Sequence, residues 1–469
     1  MAKKVLFLTG KLAEPSLHRV LKEMTALTFE YRVHQLGVSV AALMTDKMIA
    51  RRLTAEIIAD SDQIIVPGRC RGDLTALSAQ LGLEVIRGPD EVKDLPLFFG
   101  QARKAADMSQ YDVNIFAEIV DAPERSIESI LERAAYYKRS GADVIDIGCL
   151  PEEKFPHLEE TITALHEAGF KVSVDSLELD DLRRAGKAGA DYLLSLTEKT
   201  YHLAEETDAV PILVPSEMGS LASLERAMEL MDKINRPWVA DPILDPIHFG
   251  LTNSIVRYHE LRRKYPEAPI MMGVGNLTEL TDADTNGINA ILFGIISELN
   301  ITNVLATEVS PHARKAIGEA NIARRMMYSA REDSSLPRDI TNDLLVAHER
   351  RPFPDTEQEI VELSESIKDP NYRIKVSDKG IYMFNRDGLM QEQDPFAFYP
   401  QIDLKDDTGH AFYLGAELAR AQVAWQLGKR YNQDEELQWG CAVETLQEDL
   451  TQQTAEGTTL TTGKKCGTA

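Results

Sequence analysis

The chain has 469 residues, 43% of them hydrophobic and 27% charged, and a formal net charge of −24. It is longer than the about 100 to 250 residues of one ordinary core, so two or three domains are expected. The acidic balance argues against nucleic acid and anionic membranes as partners, and no apolar run reaches the roughly 18 residues needed to span a bilayer.

The first apolar run, Val5 to Thr9, is too short for a signal-peptide core and reads as a buried strand. Residues 1–108 alternate this run and those at Val38 to Leu43, Gln63 to Pro67 and Leu83 to Arg87 with amphipathic stretches. That pattern predicts a three-layer, Rossmann-like α/β domain. The turn Thr9-Gly10-Lys11 lacks the spaced second glycine and the following serine or threonine of a phosphate-binding Walker loop. The turn from Pro67 to Asp73 offers Arg69 and Arg71 to an anion, although loop arginines are more often simply solvated.

From 109 to 330 the rhythm is regular. Strand-like runs at Val113 to Val120, Val144 to Gly148, Val172 to Ser176, Tyr192 to Leu196, Pro211 to Pro215, Trp238 to Pro242, Pro269 to Gly275 and Asn303 to Glu308 are separated by helical patterns. Eight such units predict a central (β/α)8 TIM barrel rather than a doubly wound open sheet, because polar residues recur at the C-terminal strand ends where barrel sites are built. Residues 331–356, rich in charge, Ser and Pro, read as a linker. A small α+β domain follows at 357–448, with a hairpin at Tyr372 to Val376 and Gly380 to Asn385 and a helix from Ala411 to Tyr431; the Thr- and Gln-rich tail at 449–469 reads as disordered. The cysteines Cys70, Cys149, Cys441 and Cys466 are too dispersed for a disulfide framework or structural zinc site, which suits a reducing cytoplasm.

The polar residues at the barrel's C-terminal strand ends are Glu118, Asp121, Asp146, Asp175, Ser195, Ser216, Glu217, Asp241, Asn276 and Glu308. Any one acid could cap the following helix, but a succession of them implies a cavity whose ligand supplies hydrogen-bond donors. No His-x-His, HExxH or GxSxG spacing accompanies them, which argues against a protein-held transition metal and a serine nucleophile.

The segment Gly141-Ala142-Asp143-Val144-Ile145-Asp146-Ile147-Gly148, followed by Val172-Ser173-Val174-Asp175-Ser176, Gly189-Ala190-Asp191 and Asp241-Pro242, resembles the pterin-binding barrel family of dihydropteroate synthases and methyltetrahydrofolate-dependent methyltransferases. The strings Leu8 to Pro15, Met272 to Asp282, His410 to Gly415 and Leu427 to Tyr431 resemble archaeal-type dihydropteroate-synthase-like proteins. The resemblance implies a role in making tetrahydromethanopterin for one-carbon metabolism. The expected reaction joins a hydroxymethyl-dihydropterin diphosphate to an arylamine, an aminobenzene-ribofuranosyl phosphate, and releases diphosphate.

It also implies that Asp146, Asp175, Asp241, Asn276 and Ser195 bind the pterin, with Asp175 and Asp146 catalytic. Glu118 stands at the diphosphate end as a candidate ligand for Mg2+ brought by the substrate. The family's strand-seven lysine is replaced by Asn276, its strand-four asparagine by Ser195 and its final Arg-x-His by Thr307-Glu308-Val309. Diphosphate is therefore assigned to His312, Arg314 and Lys315, where Ser310-Pro311 predicts a helix N-terminus. The same departures keep open a methyl-tetrahydropterin methyltransferase, which would need a corrinoid partner, or a non-catalytic pterin-binding protein. The expected partners are the pterin and arylamine alone, with no nucleic acid or membrane; a homodimer is the family default. Lys429, Arg430 and Tyr431 are expected to close over the barrel mouth or build the dimer, and His410 to be a packed residue.

Overall fold

The computed structural model describes residues 2–24, 27–101, 106–150, 154–402 and 407–443. The chain divides into two compact units, Met1–Tyr111 with Arg325–Ile340, and Asp112–Arg324 with Thr341–Ala469.

In the first unit β1 (Lys3–Thr9), β2 (Phe29–Gln35), β3 (Gln63–Val66) and β4 (Glu84–Arg87) form a parallel sheet in the order β2-β1-β3-β4. Side chains alternate across a strand, so β1 and β3 feed a core on each face. Leu6, Leu8, Ile64 and Val66 pack with Met44, Ile49 and Leu74, while Val5, Phe7 and Ile65 pack with Leu17, Leu21 and Leu95. The run Val38 to Leu43 is not a strand. Phe29–Gln35, with its alternating aromatic and polar residues, holds the place beside β1, and Ala41–Leu43 makes a single 3-10 turn. Residues 325–340, expected partly in the barrel and partly in a linker, group with this unit, where Arg325 donates to the carbonyls of Met108 and Ser109 at 3.1 and 2.8 Å.

The second unit contains β5 (Asn114–Ile119), β6 (Val144–Gly148), β7 (Lys171–Asp175), β8 (Tyr192–Leu196), β9 (Val210–Leu213), β10 (Val239–Ala240), β11 (Met271–Gly273) and β12 (Asn303–Ala306). All pair in parallel in the order β10-β9-β8-β7-β6-β5-β12-β11, and a parallel bridge between Ala240 and Ile270 joins the two edges into a barrel. The interior is a packed layer of Phe116, Val144, Leu194, Ile212, Val239 and Met271.

The strand starts are tied by a repeated device. Asp143 donates its amide to Ile115 O at 2.9 Å, and its Oδ2 accepts from the Ile115 amide at 2.9 Å. Asp191 makes the same pair with Val172, at 2.8 Å each way. Both Gly-Ala-Asp sequences therefore serve the barrel's frame.

Also in this unit, β13 (Arg373–Ser377), β14 (Gly380–Asn385) and β15 (Gly388–Glu392) form an antiparallel sheet, the expected hairpin plus a third strand. The helix Thr408–Leu427 packs Leu414, Leu418 and Ala421 on it and ends at Gly428, whose φ of 63° suits glycine. Of the three residues expected at the mouth or a dimer seam, Arg430 is exposed, while Lys429 and Tyr431 are taken up inside this unit. Lys429 is wholly buried, its Nζ donating to Val346 O at 2.8 Å, and buried Tyr431 donates to Glu417 at 2.7 Å. The ring of His410 stacks on Tyr413. Cys70, Cys149 and Cys441 are free; Cys466 and the expected tail lie outside the described residues. Among the described residues no helix is long and apolar enough to cross a membrane.

Candidate active site in the barrel mouth

The interior layer fixes which residues come next. Because strand side chains repeat every second residue, Phe116 is followed inward by Glu118, Val144 by Asp146, Ser173 by Asp175 and Val239 by Asp241. Strand register then sets Glu118 beside Asp146, Asp146 beside Ser173, and Asp175 beside Gly148. Gly148 leaves the room this needs, since a Cβ there would sit 2.8 Å from Glu118 Oε1.

Glu118, Asp146 and Asp175 each bring a carboxylate oxygen within 4.8 Å of the other two. Asp146 is wholly buried; its Oδ1 accepts from Ser173 Oγ, while its Oδ2 has no hydrogen-bond partner. Burial, reinforced by Glu118 and Asp175, holds the Asp146 carboxyl well above the usual range. Burial and the charge of Asp175 push Glu118 up to about 7, and burial pushes Asp175 up to about 6. Like charges this close cannot all ionise in a poorly solvated cavity. The cluster therefore holds protons, a cation or a donor-bearing ligand.

Asp241 belongs to the same electrostatic group. Burial raises it to about 6 with a contribution from Asp175, against hydrogen bonds to its Oδ1 from Tyr258 Oη at 2.8 Å and the Ile243 amide at 2.7 Å. The loop it opens is constrained: Ile243 has a φ of 67°, a conformation that branched residues rarely adopt. Arg257 holds that loop, donating to Pro242 O, Ile243 O and Asp245 at 3.2, 2.9 and 2.7 Å. Ser195 lies at the register shift between β8 and β9, opposite no single partner. Asn276 gives its Nδ2 to Leu244 O at 2.7 Å, tying the loops after β10 and β11 together. Cys149 is no thiolate nucleophile at neutral pH, since burial pushes it up to about 12.

Other expected mouth acids are engaged elsewhere. Asp121 is clamped by Arg125 at 2.7 and 2.9 Å, Glu217 is exposed, and Glu308 accepts from the Ile317 amide and pairs with Arg133 at 3.4 Å. Ser216 donates to Glu198 at 3.0 Å.

The amides just before the expected diphosphate site after β12 already hold an anion of the chain's own. Val309 N and Ser310 N each donate to the Glu279 carboxylate at 2.8 Å, and residues 311–313 form one 3-10 turn, with the long helix starting only at Ala316. His312 contacts Thr278 O at 3.1 Å, Arg314 donates to Pro311 O at 3.2 Å, and Lys315 Nζ lies 5.7 Å from the Tyr136 ring centre.

Two functional neighbours were not named by sequence. Ser173 was within reach of the period-two argument, standing two residues before Asp175. Tyr258 shares the buried helix face of Ser254 and Leu261, so its spacing signals core packing only.

Residues 3–90 match the model of a family of unknown function (DUF6513). An uncharacterized protein of Methanocaldococcus jannaschii is 27% identical over 523 aligned positions, covering 92% of this chain and 99% of its own. A dihydropteroate synthase of Yersinia pestis in a sulfonamide complex is similar over 48% of this chain and 96% of its own, at 13% identity and a TM-score of 0.39. A truncated 3-deoxy-D-arabino-heptulosonate 7-phosphate synthase of Thermotoga maritima is similar over 47% and 85%, at 15% identity and 0.35. The strand order and closing bridge establish the barrel independently of these scores.

Proposed function

We propose that the barrel mouth binds a reduced pterin and that the protein is a dihydropteroate-synthase-like transferase. It would join a hydroxymethyl-dihydropterin diphosphate to an arylamine, with an aminobenzene-ribofuranosyl phosphate as the expected acceptor of a tetrahydromethanopterin-type synthesis. The supporting observation is the wholly buried Asp146 Oδ2, which lacks a partner beside two half-buried carboxyls. A buried acceptor of this kind is costly until a donor reaches it. A pterin carries adjacent ring and exocyclic N–H donors, which Asp241 and Asp146 are suited to accept.

In the proposed step the C–O bond between the pterin methylene and diphosphate breaks, a C–N bond to the arylamine forms, and the amine loses a proton. Negative charge on Asp175, the less strongly raised of the two acids the family resemblance makes catalytic, would stabilise positive charge developing on the methylene. Ser195 and Asn276 border the ring; Arg314 and Lys315 supply charge for the leaving diphosphate, with His312 beside them. Glu118, Asp146 and Asp175 also fit a magnesium ion, as an all-oxygen set with one orphaned ligand atom. Such an ion would draw charge from the diphosphate oxygens.

Calorimetry with a reduced pterin on the full chain tests the reading, repeated with Asp175→Asn and Asp241→Asn. Diphosphate release on adding both substrates distinguishes synthesis from binding alone. Pterin binding unaltered by both substitutions would remove the proposal.

A further inference from the structure

The first unit carries a cavity of about 1010 Å³, and every residue lining it belongs to that unit. The volume stands at the upper end of the roughly 300 to 1,000 Å³ of small-molecule sites. It opens at the C-terminal ends of β1 and β3, at Thr9, Val66 and Pro67. These strands are neighbours, yet the chain leaves β1 for β2 on one side and returns to β3 on the other. In open parallel sheets that reversal of strand order is where the crevice for a ligand lies.

The lining states what kind of ligand fits. Leu12, Val20, Val40, Pro67, Val92 and Leu336 give apolar walls, and Leu12 and Leu336 remain 71% and 65% exposed. Several charged groups at or beside the rim pair with one another. Arg69 faces Asp90 and Glu91 at 3.6 and 3.8 Å, Lys93 faces Asp339 at 3.6 Å, and Arg338 faces Glu91 at 3.7 Å. Arg19 donates to Glu332 O and Ser334 Oγ at 3.1 and 3.3 Å, and Ser16 to Ser334 O at 2.9 Å, so the segment from 333 is fastened as one wall.

Loop amides that would face a phosphate are also engaged. Lys11 and Leu12 donate to Val38 O and Ser39 O, Ala13 and Glu14 to Gly10 O, and Gly68 to Pro89 O. The glycines serve loop packing rather than ligand approach: a Cβ at Gly10 would sit 2.7 Å from Ala41 N, and one at Gly68 2.6 Å from Asp90 N. A polyanion entering here would meet these engaged amides and the four lining carboxylates of Glu23, Asp90, Glu91 and Asp333.

We propose that this cleft binds an uncharged, largely apolar small molecule and excludes nucleotides and other polyanions. The site is separate from the barrel chemistry and does not depend on what the barrel binds. The test is a fluorescence titration of the full chain with Nile red, a neutral apolar probe. Saturable binding is expected, weakened roughly tenfold or more by Ala42→Trp, which fills the cavity, and unaffected by ATP or by Asp175→Asn in the barrel. A thermal scan shows whether Ala42→Trp folds; if it does not, Leu336→Glu, at an exposed wall position, gives the same readout by placing a charge in the cleft. Absence of saturable binding, displacement by ATP, loss of binding in Asp175→Asn, or binding unchanged in the folded cavity variant would each overturn the proposal.

Discussion

Tyr258 donates its wholly buried hydroxyl to Asp241 Oδ1 at 2.8 Å. The bond opposes the upward pull of burial on Asp241 and fixes which oxygen remains for a ligand. Tyr258→Phe should therefore raise Asp241 further above about 6 and leave more of it protonated near neutrality. Losing one charged-acceptor hydrogen bond costs about 1.5 to 3 kcal/mol. Reduced-pterin affinity should fall roughly tenfold or more at neutral pH and recover in part as pH rises. Calorimetry at several pH values reads this, and a wild-type affinity profile would exclude a tuning role for Tyr258.

The acid cluster gives stability a definite pH slope. Glu118 at about 7 and Asp175 and Asp241 at about 6 are all raised above their ordinary values. Between about pH 4 and 7 the folded chain thus binds more protons than the unfolded one, and unfolding free energy falls as pH rises. Stability from this source is complete below the ordinary carboxylate range and is lost through the folded values. The barrel should be less stable at about pH 8 than at about pH 5, by on the order of 5 kcal/mol. Asp175→Asn should flatten the slope in thermal scans; a slope unchanged in that variant would place its origin elsewhere.

A divalent cation should reverse that loss. Three carboxyls within 4.8 Å are repelled least when a cation lies among them. Magnesium or manganese should raise the melting temperature at about pH 8, where the acids ionise, and much less at about pH 5. At a concentration of about 100 times Kd the gain is ~2.7 kcal/mol. Glu118→Gln should reduce it; equal stabilisation at both pH values would point to a site elsewhere.

The barrel was legible because eight buried parallel strands leave eight apolar runs, and the inward acids because the period of two carries on from Val144 to Asp146 and from Val239 to Asp241. Position along a strand does not reveal competing partners. Glu308 stands at a strand end like the others, yet its contacts with Ile317 and Arg133 come from elements that only the fold brings near. The engagement of the Val309 and Ser310 amides was hidden for the same reason, since Glu279, which accepts from both, lies about 30 residues earlier in the chain. In the first unit the Val38 to Leu43 run was mistaken for a strand because apolar content outweighed the alternation of Phe29–Gln35.

Glu279 sharpens the kinetic test of diphosphate binding. With the Val309 and Ser310 amides held by Glu279, the charges of Arg314 and Lys315 gain weight in the proposed site. Arg314→Ala should raise KM for the diphosphate substrate several-fold with a smaller change in kcat, and the increase should shrink at high salt because exposed charges are screened. Steady-state kinetics at two ionic strengths decides it; an unchanged KM would exclude Arg314 from the site.

The two Gly-Ala-Asp sequences make the same backbone pair but differ in burial. Asp143 also meets Arg324, which is 2% exposed and donates to Val113 O and Gly141 O at 2.6 and 2.7 Å. Asp191 meets His166 at 3.0 Å in a more open setting. Arg324→Ala leaves a carboxylate and two carbonyls short of their donor inside the barrel floor and should cost about 3 to 5 kcal/mol. His166→Ala removes a partner that solvent can replace and should cost about 1 kcal/mol or less. Denaturant unfolding followed by circular dichroism compares the two directly. Equal losses would mean that burial does not distinguish them, and that the backbone pair alone, common to both strand starts, carries the stabilisation.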